Sequence, residues 1–141
     1  MPGQVIYKNT PGGVETGAAS NASLNNFISD AAIWLNLTAV IKSGDRGADP
    51  TGSNERSEHR TDLGGQGALD LHLYRADGTQ VPDRTAARWL AGLAGETSSR
   101  VRVIQHRTGT CTTGPHVHID SRTDIGHREE TRCQYTPSQF N

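Results

Sequence analysis

Only two of the 141 residues are cysteine. Neither stands in a Cys-x-x-Cys pair, which excludes a zinc ribbon or a dithiol redox motif. Long apolar runs are missing as well: none approaches the roughly 20 residues of a membrane-spanning helix. The N-terminal segment offers neither a basic start nor the apolar stretch of a secretory signal, so the sequence does not read as a Sec substrate. No run of basic residues tracks a phosphate backbone either. The 14 basic and 15 acidic side chains are mixed along the chain and leave a formal charge of −1, so nucleic acid is not an expected partner. Apolar residues are scarce at 33%, while glycines number 16. That balance argues against a helical bundle and for a loop-rich mixed fold with a modest core. The length suits one domain spanning 1–141, able to bury roughly two thirds of its unfolded surface, and no internal repeat is visible.

What is present begins with an unpatterned segment, 1–20, which reads as an extended N-terminal arm. Ser23 then has the character of a helix N-cap. After it, Leu24, Phe27, Ile28, Ala31, Trp34 and Leu35 recur at helical spacing, with polar residues on the other side, which predicts an amphipathic helix on a sheet. Thr38–Lys42 reads as a strand, followed by a long polar segment to Gly67 of the kind that is usually functional. In Ala68–Tyr74, Leu69, Leu71 and Leu73 alternate with Asp70, His72 and Tyr74, which predicts a strand with one core face and one polar face. Ala76–Thr79 supplies a turn. Pro82 and Asp83 open a second helix to about Gly95, with Ala86, Ala87, Trp89, Leu90 and Leu93 inward. On this reading Trp34 and Trp89 are packing residues rather than a sugar platform. Val101–His106 is a further strand, expected to pair antiparallel with the segment that follows. The tail, 121–141, is polar.

Gly114-Pro-His-Val-His-Ile-Asp120 carries the strongest chemical signal. Residues two apart on a strand share a face, so His116 and His118 project together. Zinc in a catalytic site takes three protein ligands and keeps a position for water, so two histidines need partners. Three features precede them in order: Ser43-Gly44-Asp45-Arg46 after a strand, Ser57-Glu58-His59, and Gly67-Ala68-Leu69-Asp70. At these residues the chain resembles the D-alanyl-D-alanine carboxypeptidase family of zinc peptidases, related in fold to lysostaphin and to the hedgehog domain. The family pattern is a strand ending in Ser-Gly-x-Arg, a Ser-x-His leading to Ala-x-Asp, and a terminal His-x-His or acidic-x-x-His. Ten residues separate His59 from Asp70, more than is usual in the family, and an insertion at Thr61–Gly65 accounts for the difference.

The resemblance implies an α+β fold in which a small antiparallel sheet carries the zinc site and helices pack on one face. It implies Zn2+ bound by His59, Asp70 and His118; His72, two residues after Asp70 on the same strand face, is the alternative to His59. His116 is then the general base or oxyanion donor, Arg46 the anchor of a substrate carboxylate, and His106 a second histidine at the rim. His127 reads as an exposed residue of the tail. Cys111 and Cys133 are either a disulfide formed in an oxidising compartment or two separate thiols.

The implied substrate is the stem peptide or cross-link of bacterial peptidoglycan, cut by a monomeric lytic toxin, effector or phage endolysin. Such an enzyme reaches the cell wall through a holin or a secretion system, and an immunity or inhibitor protein is a possible partner. The rival expectations are a zinc-stabilised binding module of the same fold without catalysis, and a hydrolytic toxin with another substrate.

Overall fold

In the computed structural model, the residues described are 3–7, 22–43, 67–106 and 115–121. They form a small α+β domain of one five-stranded mixed sheet and two helices. The strands are β1 (Gln4–Tyr7), β2 (Thr38–Ser43), β3 (Ala68–Tyr74), β4 (Arg102–His106) and β5 (His116–Asp120). The helices are α1 (Ala22–Leu35) and α2 (Asp83–Glu96). The order across the sheet is β1-β2-β3-β5-β4.

Alternation decides which face is buried. Leu69, Leu71 and Leu73 of β3, Val117 and Ile119 of β5, Val103 of β4 and Ala39 and Ile41 of β2 all turn to one side. There they join Leu24, Phe27, Ile28 and Ala31 of α1 and Ala86, Ala87, Leu90 and Ala94 of α2 in a single core. The period of two in the strands meets the 3.6-residue period of the helices, and burying both apolar stripes is what holds the layers together. The residues between, Asp70 and His72 of β3, His116, His118 and Asp120 of β5 and Arg102 of β4, therefore belong to the opposite face of the sheet.

The sheet is mixed where an antiparallel one was expected, and the difference lies in the N-terminal segment. Four residues of the supposed arm form β1, parallel to β2 with Gln4 opposite Thr38 and Tyr7 opposite Ile41. A parallel neighbour needs a crossover of a dozen residues or more, and α1 lies in that connection. The hydrogen bond from Gly3 N–H to the Leu37 carbonyl at 2.7 Å fixes the start of β1. The other pairings are antiparallel, including β4 with β5 as the sequence suggests.

Both helices fall where periodicity puts them, with shifted details. α1 starts at Ala22, so Ser23 sits in its first turn rather than at the cap. Its end is set by Asn36, whose φ of 55° is the left-handed conformation that asparagine tolerates after a helix. Leu37 N–H then bonds back to the Ala32 carbonyl at 3.0 Å. The tryptophans are not core residues: Trp34 is 75% exposed and Trp89 40%. Ala32 and Ala94 take buried positions instead. The smaller side chains let the helices lie close to the sheet, which leaves the indoles outside. The turn after β3 forms as expected. Gly78 adopts φ +87°, and the Asp77 carboxylate accepts the Thr79 N–H at 2.9 Å.

Candidate metal centre

Asp70 and His118 are direct partners in the antiparallel pairing of β3 with β5, so their side chains leave the sheet side by side. His118 Nδ1 stands 3.0 Å from Asp70 Oδ1. His116, two residues earlier on the same strand, brings its Nε2 to 3.4 Å from that same oxygen. One carboxylate oxygen is thus faced by two imidazole nitrogens. A register shift between Ile41 and Ser43 sets Ser43 opposite Asp70 in the backbone pairing. Such bulges re-aim side chains and recur beside functional sites.

The other nitrogen of the His118 ring is occupied as well. Its Nε2 lies 2.7 Å from Asp120 Oδ2, and Asp120 is clamped by Arg102, its register partner on β4. Arg102 Nε donates to Asp120 Oδ1 at 2.8 Å, and Nη2 donates to Oδ2. The guanidinium and carboxylate are fully buried. Exposure of the side chains rises outward from this pair, from 4% at His118 to 12% at His116 and 15% at Asp70. The site is therefore anchored at a closed end and opens at Asp70 and His116.

The charges explain the protonation. Burial pushes the His118 imidazolium toward losing its proton, but hydrogen bonds and charge from Asp120 and Asp70 outweigh it and raise the pKa from 6.5 to about 9. Burial also works against the Asp120 carboxylate, yet His118 and Arg102 together hold its pKa well below the usual carboxylate range. Without a metal, then, the His118 ring is a doubly donating cation between two carboxylates.

The donor set fits a zinc ion in part. Donor atoms of tetrahedral zinc with oxygen and nitrogen ligands lie about 3.3 Å apart, close to the 3.0 Å between Asp70 Oδ1 and His118 Nδ1. Asp120, 2.7 Å from His118 Nε2, stands where a carboxylate behind a ligand histidine would fix its tautomer and orientation. Among the described residues, however, no group of three or more His, Cys, Asp or Glu is arranged to hold a metal. A zinc site here would need a third ligand from outside the described residues.

His59, expected to be that ligand, lies outside the described residues, as do Arg46, His127, Cys111 and Cys133. His106 belongs to β4, and its backbone pairs with that of His116. His72, the alternative ligand, is not gathered with Asp70 and His118. Its Nδ1 lies 2.9 Å from Asp83 Oδ1 at the start of α2 and 3.1 Å from Gln80 Nε2. Among the described residues the structure thus brings together Asp70, His116 and His118.

Sequence reasoning missed Arg102 and Asp120, although both left a signal. Asp120 continues the same-face series His116, His118 by one more step. Arg102 interrupts an apolar strand, which a charge does at low cost only when it is paired. Comparison of the chain with models of protein families, with curated proteins and with solved structures finds no match.

Proposed function

We propose that this protein is a zinc-dependent peptidase of bacterial peptidoglycan, hydrolysing an amide bond in the stem peptide or cross-link. The reading rests on one observation: the Asp70 carboxylate faces His118 Nδ1 across two paired strands, with His116 beside the same oxygen. Asp70 and His118 are two ligands in this proposal, and His59 is the third. Zinc, when bound, polarises the scissile carbonyl and brings the pKa of a water molecule from near 16 to about 7.

The protein's own groups do the rest. Asp120 keeps the Nε2 proton of His118, which leaves the Nδ1 lone pair for the metal. Arg102 holds Asp120 in place and balances its charge. His116 takes a proton through Nε2 from the attacking water and returns it to the leaving amine, so that the amide C–N bond breaks as a C–O bond forms. Arg46 pairs with a free carboxylate of the stem peptide. A lytic role as toxin, effector or phage endolysin follows from that substrate.

A second reading has an observation of its own. The chain Arg102–Asp120–His118–Asp70 is satisfied without any metal, as a buried polar network with a purely structural role would be. Metal stoichiometry separates the two. The peptidase reading expects one zinc per chain in wild type, loss of tight binding in Asp70→Ala and His118→Ala, and chelator-sensitive release of peptide or amino acid from defined muropeptides. Wild type that takes up no zinc at micromolar concentration leaves only the structural network.

A further inference from the structure

The helical side of the molecule carries a groove that the peptidase reading does not use. It has a volume of about 480 Å³, within the roughly 300–1,000 Å³ of small-molecule sites. Phe27, Ala31 and Val101 form an apolar floor. One wall is a ridge of α1 made by Asn26, Asp30 and Trp34, which are four residues apart and so stack along the helix. Ser99 and Arg100, between α2 and β4, stand in the facing wall.

Trp34 is the unusual member. An indole buries more apolar surface than any other side chain when it packs, yet this one is 75% exposed. Around it stand a group that only accepts (Asp30), one that only donates (Arg100) and one that does both (Asn26). All three are exposed, and among the described residues no hydrogen bond or ion pair engages their side chains.

We propose that this groove is a saccharide-binding site, with Trp34 as the stacking platform and Asn26, Asp30 and Arg100 as its hydrogen-bonding rim. A pyranose ring presents a face of C–H bonds, positively polarised, that packs on the negative face of an aromatic ring. Its edge is a belt of hydroxyls that both donate and accept. The groove offers an apolar plate beside a planar mixed rim, which matches both surfaces. A protein partner would instead favour a wider apolar patch with charge excluded from its centre. The natural occupant is the amino-sugar backbone of the polymer whose peptides the metal centre cuts. That last identification rests on the peptidase reading, whereas saccharide binding itself does not.

Calorimetric titration with a soluble N-acetylglucosamine oligomer tests the site in wild type, Trp34→Ala, Asn26→Ala and Trp89→Ala. Saturable millimolar or tighter binding is expected in wild type, unchanged by Trp89→Ala and weakened at least about tenfold by Trp34→Ala. Trp34→Ala should keep the wild-type circular dichroism spectrum and cleave sugar-free stem peptides as wild type does, so loss of the sugar site and loss of the peptidase reading are read separately. Absence of saturable binding in wild type, or equal binding by Trp34→Ala, overturns the proposal. So does a change of oligomeric state in Trp34→Ala, since the groove is then a self-association face.

Discussion

A guanidinium and a carboxylate with no exposed surface are costly to part, because the survivor is left charged in a medium that solvates it poorly. Arg102→Met, which keeps the volume and removes the charge, is therefore expected to cost about 3–5 kcal/mol, read as a lower urea midpoint at unchanged slope. Asp120→Asn acts differently. It loosens the carboxylate behind His118, and zinc affinity measured against a chromophoric chelator should fall roughly 10–100-fold. His118 itself makes the metal-free protein sensitive to pH. Its pKa is raised from 6.5 to about 9, so the stabilisation is fully present below 6.5 and is lost as pH rises through 9. Urea unfolding of chelator-treated protein at pH 6, 7.5 and 9.5 should show that decline. Zinc binding should strengthen over the same window, as the metal replaces the Nδ1 proton. A flat stability profile would mean that the ring is neutral in the fold. Asp70, His116 and His118 were legible because alternation sets them on the polar faces of their strands and the family resemblance picks them out there, whereas alternation alone would equally have named His72. Asp120 and Arg102 were not, although the pairing of their strands was expected, because the register that sets one opposite the other is not written in local sequence.

At the level of elements, the strands and helices follow from periodicity almost to the residue. β3 spans Ala68–Tyr74 as alternation predicts, and α2 opens after Pro82. The failures share a cause. A helical wheel ranks positions by hydrophobicity, but how far a face extends round the helix depends on what it packs against. Trp34 and Trp89 lie beyond the reach of the sheet and point to water, while small alanines occupy the contact. β1 escaped notice because a short edge strand gains its place from its neighbour rather than from its own pattern. The end of α2 supports a further prediction. Ser98 adopts φ 53° at the position after the helix where glycine is the usual residue. Replacing it with glycine relieves a left-handed side-chain clash of about 1 kcal/mol, so Ser98→Gly should raise the thermal midpoint by several degrees. A lower midpoint would show that the serine side chain makes a contact worth more than the strain.

The whole molecule divides its labour between the two faces of one sheet. Helices and core cover one side, and the polar residues left over by alternation gather on the other, where β3 and β5 run adjacent although nearly fifty positions separate Asp70 from His118. That juxtaposition turns two unrelated polar residues into neighbours, and it gives the peptidase reading its physical content. The same topology leaves the α1 groove, proposed above as a saccharide site, on the helical side, away from the polar face. The measurement that bears most directly on the account compares wild type with His116→Ala at equal zinc content, following purified muropeptides by mass spectrometry. Hydrolysis by wild type is expected, with a rate at least about 100-fold lower in the variant and zinc retained. A zinc-loaded wild type that cuts no muropeptide, or a variant that cuts as fast as wild type, would contradict it.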